Sequence, residues 1–196
     1  MKAVMKSVSP RICEKVAKGD CTILVSKTAP KCEVPFKCYI YCTRITDKKH
    51  CRDEFDVGIW KGNEHVIGEF VCDKVFLLHP YTYDRGSADL ERRKLIQTFE
   101  GSSKENEILA ATCLTQDEMF DYIGGGNYGY AWHISNLKIY GNPKELSEFY
   151  RPCSYSGICY SCNRFRPNGT PNDKPNDFCD GEITRPPQSW FYVEEL

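Results

Sequence analysis

Hydrophobic and polar residues alternate along much of this chain, in short runs that predict β-strands. These runs cover residues 3–8, 22–25, 36–43, 65–78, 130–140 and 190–193. In the run over 36–43, Cys38, Ile40 and Cys42 alternate with Tyr39 and Tyr41. The run over 65–78 predicts one long, strongly curved strand with a bulge or bend at its glycine, Gly68.

Local signals also predict a few short helices. Ser9 followed by Pro10 indicates a helix start, and the apolar stripe that follows ends at Gly19. Thr115 and Glu118 have the spacing of a capping box, which predicts a helix that stops at residues 124–126, a run of three glycines. A last helix is predicted over residues 144–149.

Residues 84–107 are charged and weakly periodic, which predicts an inserted loop with one helix over 88–99. Five or six strands, with a helix between the first two, favour an α+β protein built on a small mixed β-barrel. The order of the elements does not fit a doubly wound sheet.

Four cysteines near the end of the chain carry the clearest chemical signal: Cys153, Cys159, Cys162 and Cys179. Two of them form a Cys-x-x-Cys pair, and four thiolates match the tetrahedral preference of zinc. Residues 163–178 are rich in Pro, Asn, Asp and Gly, so a bound metal would order a segment that cannot bury a core. We expect a structural zinc ion here; a disulfide pair and unligated thiols are the alternatives.

The cellular compartment decides whether zinc, a disulfide or free thiols are expected at these cysteines. The first residues carry positive charge but no following apolar run, so no secretory signal is predicted. No apolar stretch is long enough to span a membrane. We therefore expect a cytoplasmic protein, in which clustered cysteines bind metal more often than they form disulfides. A second metal set of Cys32, Cys38, Cys42 and Cys51 is less favoured, because two of these lie inside a predicted strand.

Composition sets limits on the partners. The chain has 196 residues and a net charge of −1, which gives no global attraction to nucleic acid or to membranes. Lys and Arg are concentrated in residues 1–50, so a local basic face is expected near the first strands. Aromatic residues make up 13% of the chain, which suits both a small barrel core and a base-stacking surface.

Residues 7–23, Ser-Val-Ser-Pro-Arg-Ile-Cys-Glu-Lys-Val-Ala-Lys-Gly-Asp-Cys-Thr-Ile, resemble the ASCH family, whose members share a PUA-like barrel. That family opens with a strand, a short helix begun by proline, a glycine and a strand that bears Lys-Thr. Residues 66–70 fit the family's central strand. Residues 129–140 and 183–190 resemble small ASCH proteins of Gram-positive bacteria and their phages. The resemblance covers about residues 1–82 and 110–150 and implies a barrel domain over 1–150. Residues 151–196 then form the cysteine-rich tail predicted to bind zinc, and its final strand is expected to return to the barrel.

The resemblance implies RNA-related binding in a groove beside the first helix and the strand after its glycine. Some family members hydrolyse acetylated cytidine with a Lys, a Thr or Glu, and a distant Glu. Here Cys21 stands at the Lys position, Leu24 at the Thr or Glu position, and Ser26 at an Arg position. A leucine cannot move a proton, so hydrolysis by that mechanism is not expected.

Two hypotheses follow. The first is a non-catalytic module that binds nucleic acid, which the resemblance implies is RNA, or a modified nucleoside or nucleotide. Its candidate contacts are Thr22, Lys27, Lys31, Arg44 and His133, the last of which alternates with an inward Trp132 and faces the groove.

The second hypothesis is a hydrolase on a modified nucleoside or small amide, with a rearranged pocket around Glu69 and Cys21 or Lys27. A nucleophilic Cys21 would need His133 close by as its base. A closed pocket that joins Glu69, Lys27 and Thr22 would favour the hydrolase, whereas an open basic groove would favour binding.

Overall fold

A computed structural model describes residues 2–44, 63–84, 92–98, 102–124, 127–152, 181 and 183–196 of the protein. This part of the chain contains nine strands, three α-helices and one 3-10 turn. The strands are β1 (Lys2–Val8), β2 (Ile23–Ser26), β3 (Phe36–Cys42), β4 (Val66–Cys72), β5 (Val75–Asp84), β6 (Arg92–Thr98), β7 (Gly129–His133), β8 (Ser135–Lys144) and β9 (Trp190–Glu194). The helices are α1 (Pro10–Lys18), α2 (Ser102–Ala111) and α3 (Gln116–Ile123), and the 3-10 turn spans Leu146–Glu148.

The strands form two sheets. The five-stranded sheet has the order β8-β4-β3-β1-β9, and the four-stranded sheet has the order β2-β7-β5-β6. β1 and β3 are parallel, and the other strand pairs are antiparallel. The predicted α+β class is confirmed. The described strands pair into two open sheets and not into a closed barrel.

The largest core lies between the sheets, and β3 contributes to it with one face only. Cys38, Ile40 and Cys42 pack there with Trp132 and residues of α1. Tyr39 and Tyr41 point the opposite way, into a second buried cluster with Phe149 and Val193. The alternation predicted for this strand is therefore confirmed, and both of its faces are buried.

The residues at its two ends set the bounds of helix α1. Ser9 is extended, Pro10 occupies the first turn, and Gly19 adopts a left-handed conformation at the C-cap, with φ of 82°. This conformation suits glycine, and the Gly19 N–H donates to the carbonyl of Val16 at 3.0 Å. Cys13 and Val16 are fully buried, so the helix anchors the link between β1 and β2 in the central core.

Helix α3 has the predicted capping box. The Glu118 N–H donates to Thr115 Oγ1 at 3.2 Å, and the Thr115 N–H donates to Glu118 Oε2 at 2.9 Å. The buried Met119 and Ile123 hold the helix on the four-stranded sheet through a smaller cluster around Leu78.

The prediction of one strand over 65–78 is wrong, because the chain changes sheets in the middle of the run. β4 belongs to the five-stranded sheet and β5 to the four-stranded sheet, and Asp73 and Lys74 link them. The predicted irregularity at Gly68 is present as register shifts of β4 against both of its neighbours.

A second sheet change splits the strand predicted over 130–140. β7 ends at His133, Ile134 links the sheets, and β8 continues through Pro143 to Lys144. The helix predicted over 144–149 is reduced to the single 3-10 turn, because the chain stays extended in its pairing with β4.

The helix predicted over 88–99 is also wrong for its described part. Residues 92–98 form strand β6, which pairs along its length with β5. Here pairing and the burial of Ile96 and Thr98 prevail over the helix propensity of a charged segment. Helix α2 begins only at Ser102.

Candidate functional site

An open cleft of about 580 Å³ lies where both sheet changes meet. Thr22 enters it just before β2, His133 from the end of β7, and Asp73 and Lys74 from the β4–β5 link. Its remaining lining residues are Ile23, Val34, Val75, Phe76, Glu107, Ile108 and Ala111. We call this site the His133 cleft.

A hydrogen bond between His133 and Asp73 organises the polar side of the His133 cleft. His133 Nδ1 lies 2.6 Å from Asp73 Oδ1, and both side chains are about one third exposed, at 36% and 39%. An ionised carboxylate only accepts hydrogen bonds, so Nδ1 carries the proton and donates. The hydrogen bond from His133 holds the pKa of Asp73 below its ordinary value. His133 Nε2 then accepts a hydrogen bond when the ring is neutral.

Backbone hydrogen bonds fix the position of these residues. The His133 N–H donates to the Lys74 carbonyl at 2.9 Å, and the Ile134 N–H donates to the Thr22 carbonyl at 2.8 Å. The Thr22 N–H donates to Ala111 at the end of α2, at 3.1 Å. Paired backbone thus fixes these residues, and the lining of the cleft comes from five segments of the chain, at residues 22–23, 34, 73–76, 107–111 and 133.

The charges in the His133 cleft are mixed. Asp73 and Glu107 contribute carboxylates, Lys74 contributes an ammonium, and the rest of the lining is largely apolar. The site is open, as the binding hypothesis expects, but it is not a basic groove. Its chemistry suits a flat ligand with polar edges better than a bare phosphate.

The other predicted basic contacts lie elsewhere. Lys27 Nζ stands 5.4 Å from the ring centre of Tyr122. The exposed Lys31 is held through its backbone N–H, which donates to the Tyr192 hydroxyl at 2.7 Å. Arg44 is exposed just beyond β3. Of the five predicted contacts, the structure brings together Thr22 and His133.

Cys21 is poorly suited to nucleophilic attack. The residue is 1% exposed, and its Sγ contacts the carbonyl oxygens of Ile23 at 3.3 Å and Thr112 at 3.5 Å. Burial raises the pKa of Cys21 to about 12, so the thiol stays protonated at neutral pH.

Glu69 is engaged on the five-stranded sheet. It accepts a hydrogen bond from the Tyr140 hydroxyl at 2.6 Å and pairs with Lys37 Nζ at 3.2 Å. Partial burial opposes ionisation, but these two partners outweigh it and lower the pKa of Glu69. Glu69 does not line the His133 cleft, so the described residues do not form the pocket that the hydrolase hypothesis requires.

The cysteines predicted to bind zinc, Cys153, Cys159, Cys162 and Cys179, lie outside the described residues. Within the described ranges, no group of three or more His, Cys, Asp or Glu side chains is placed to hold a metal ion. Of the second predicted set, Cys38 and Cys42 are buried in the central core, and Cys51 is not described.

Sequence reasoning missed the charged residues Asp73, Lys74 and Glu107 of the cleft, and one buried lysine elsewhere. Asp73 and Lys74 form a polar pair that interrupts an otherwise apolar run, a signal for a strand break. Lys6 lies on the same face of β1 as Val4 and Val8, which pack in the central core, so the period of a strand already places this lysine on the inward face. The structure buries it to 2% exposure.

Comparison with known proteins gives matches among solved structures alone. No protein-family model matches the sequence, and no curated protein matches it. A crystal structure of a serine-to-alanine variant of the ASCH protein from Zymomonas mobilis has 14% identity, covers 74% of each chain and gives a TM-score of 0.46. The structure titled ASCH from Zymomonas mobilis has 14% identity, covers 76% of this chain and 71% of its own, and gives 0.42.

The matched structures are ASCH domains. This is the family that residues 7–23 resemble. At this identity and these TM-scores, no activity, ligand or residue role follows for this chain. Among the described residues, no helix is long and apolar enough to cross a membrane.

Proposed function

We propose that this protein is a non-catalytic RNA-binding module of the ASCH and PUA-like type that holds unpaired bases in the His133 cleft. The observation that carries the proposal is the meeting of Thr22 and His133 in one open cleft beside Lys74. Single-stranded RNA is recognised largely through splayed bases that stack on side chains and form hydrogen bonds through their edges.

The lining supports bases as the bound groups. Phe76, Val75 and Ile108 offer apolar surface to the face of a base, and the His133 ring can stack on it. Carboxylates such as Asp73 and Glu107 accept hydrogen bonds from exocyclic amino groups. The cleft therefore favours cytosine, adenine or guanine over uracil, which has no amino group.

Contacts to the phosphate backbone of the RNA would come from the cationic side chains around the cleft. The Lys74 ammonium can meet a phosphate while the base lies inside. Lys27, Lys31 and Arg44 remain candidate contacts for RNA that extends beyond the cleft. With a net charge of −1, binding depends on such local charges.

Replacing His133 by alanine is expected to weaken binding to a cytidine-rich single-stranded RNA by roughly 10- to 100-fold, because one stacking partner is lost.

Replacing Lys74 by alanine should weaken binding to all RNA sequences, because a phosphate contact is lost. The slope of log affinity against log salt concentration should become shallower by about one unit. Fluorescence anisotropy at several salt concentrations measures both effects.

The matched controls for these variants are His65→Ala and Lys138→Ala, since neither side chain lines the cleft. The Lys27→Ala, Lys31→Ala double variant tests whether backbone contacts extend past the cleft. Equal affinity for the wild type and the His133→Ala variant would refute this placement of the base. Absence of RNA binding by the wild type would refute the function itself.

We propose further that Cys153, Cys159, Cys162 and Cys179 hold one structural zinc ion. The support is the number and spacing of the thiols in a segment that is poor in apolar residues. A zinc ion bound by these four cysteines would stabilise the segment. It would take no part in chemistry, because protein fills all four ligand positions.

Metal analysis of protein purified without chelator is expected to give about one zinc per chain. Cys159→Ser should lose that zinc, because three thiolates hold the ion far less tightly than four. Cys113→Ser is the matched control, since Cys113 lies outside the tail, with its Sγ 3.1 Å from the Asp20 carbonyl oxygen. A metal-free wild type, or full zinc content in Cys159→Ser, would contradict the assignment.

A further inference from the structure

Two cysteines from distant parts of the sequence meet beside the His133 cleft. Cys21 lies in the link between α1 and β2, and Cys113 lies in the link between α2 and α3. Cys21 Sγ stands 3.5 Å from the carbonyl oxygen of Thr112, and Cys113 Sγ stands 3.1 Å from the carbonyl oxygen of Asp20. Each thiol thus contacts the residue directly before the other cysteine, and the two cysteines are neighbours in space.

Hydrogen bonds hold the two links together. The Thr22 N–H donates to the Ala111 carbonyl at 3.1 Å. The Lys15 ammonium donates to the Cys113 carbonyl at 3.2 Å, while the Lys15 carbonyl accepts a hydrogen bond from the N–H of Cys21 at 3.1 Å. One residue of α1 therefore fixes both cysteines, and the folded backbone sets the approach of their thiols.

The two thiols differ in their access to solvent. Cys21 is 1% exposed, whereas Cys113 is half-buried. Burial and the neighbouring Cys113 thiol raise the pKa of Cys21 to about 12. A reagent in solution therefore meets Cys113 first, and Cys21 is reached only from within the protein.

We propose that Cys21 and Cys113 form a reversible disulfide when the protein meets a small-molecule disulfide of the glutathione class. The Cys113 thiolate attacks one sulfur of the reagent to form a mixed disulfide, and one glutathione thiolate leaves. The Cys21 thiolate then attacks Cys113 Sγ, and the second glutathione thiolate leaves. Two protein thiols are oxidised to one disulfide, one glutathione disulfide is reduced to two thiols, and the protons from the cysteines end on those thiols.

This bond would brace one wall of the His133 cleft. Thr22 and Ala111 both line the cleft, and they lie within two residues of Cys21 and Cys113 along the chain. The disulfide would close a loop of roughly 90 residues and join the two links that carry this wall. In a reducing compartment the bond would form only during oxidation. The proposal does not depend on which ligand the cleft binds.

A second pair of neighbouring thiols provides an internal comparison. Cys13 and Cys42 also interact with each other, but they are 0% and 1% exposed. A reagent in solution reaches neither thiol, so this pair is expected to stay reduced in the folded protein. The comparison isolates the access to Cys113 as the property that permits oxidation.

Oxidation of the reduced full chain with millimolar glutathione disulfide, followed by alkylation, trypsin digestion and mass spectrometry, tests the proposal. Trypsin releases residues 19–27 and 105–138 as separate peptides, and each contains one cysteine, Cys21 or Cys113. We expect these two peptides to be recovered joined, and dithiothreitol should separate them. Closure from the mixed disulfide should become about tenfold faster per pH unit near neutrality, because the thiolate fraction of Cys21 rises tenfold per unit below its pKa.

Variants separate the two steps. Cys21→Ala should stop the reaction at the mixed disulfide, with one glutathione on Cys113. Cys113→Ser should leave Cys21 reduced, because the thiol that captures the reagent is gone, and it decides the question if Cys21→Ala fails to fold. Cys32→Ser is the matched control, since Cys32 is half-buried as Cys113 is, and it should still yield the joined peptides.

Three results would overturn the proposal. One is a folded wild type whose peptides 19–27 and 105–138 are never joined, whether Cys113 stays reduced or keeps its glutathione. Another is the joining of Cys113 to a cysteine other than Cys21. The third is equal joining of Cys13 to Cys42, which would show that oxidation takes place in unfolded chains.

Discussion

Replacing Phe149 by alanine is expected to lower the free energy of unfolding by about 4 kcal/mol. The Phe149 side chain is fully buried, and its ring packs edge-on against Tyr39 with 4.9 Å between ring centres. The surrounding cluster is built from β1, β3, β4 and β9. Paired strands surround the resulting cavity, so it cannot collapse readily, and urea denaturation should show the loss.

Ile139→Ala is the control for this effect. Ile139 lies on β8 and is 38% exposed, so its truncation should cost less than about 1 kcal/mol. A loss of under 1 kcal/mol for Phe149→Ala as well would mean that the outer cluster contributes little to stability. The segment before the cysteine-rich tail would then be only loosely attached to the sheet.

Replacing Gly68 by alanine is expected to cost about 3 kcal/mol. A methyl group at this position would lie 2.5 Å from the backbone carbonyl oxygen of Lys138 and 3.2 Å from the Cα of Ile139. Both atoms belong to the neighbouring strand β8, which cannot move aside as a flexible side chain can. The pairing of β4 with β8 would therefore have to open.

Gly141→Ala is the matched control on β8, because a methyl group there meets no atom within 4 Å. Its effect should stay within about 0.5 kcal/mol. Unchanged stability of Gly68→Ala in urea denaturation would show that the two strands can separate at little cost. The close approach at Gly68 would then not explain why glycine stands there.

Much of the local structure could be predicted from sequence, because its signals are local. Ser9, Pro10 and Gly19 delimit α1, and Thr115 with Glu118 begins α3, through contacts that span a few residues. Alternation identified β1, β3 and β9.

The sheet changes could not be predicted, because they depend on partners distant in sequence. Nothing within residues 65–78 says that the chain leaves one sheet at Asp73 and joins another at Val75. Likewise, residues 92–98 form a strand despite their helix propensity, because they pair with β5, which is distant in sequence from the local signals. Alternation describes which way side chains point, but not which sheet a strand joins.

In the candidate sites, too, features that depend on local sequence could be predicted, and features that depend on distant strand pairing could not. The outward direction of His133 and the burial of Trp132 follow from alternation, and both are found. The contact of His133 with Asp73 requires the register between distant strands, so sequence reasoning missed it. Lys6 was within reach of prediction, since it stands between Val4 and Val8 on a strand whose inward face is apolar.

The pairing of β1 with β9 has a consequence for synthesis on the ribosome. Met5 lies opposite Phe191, so β1 exposes one edge until nearly all of the described chain has been made. Synthesis of the roughly 150 residues between β3 and β9 takes roughly 7 to 30 seconds at a typical rate of about 5–20 residues per second. During this interval an unpaired, largely apolar strand edge is open to other nascent chains. A chaperone bound to that edge would protect the newly made protein from aggregation.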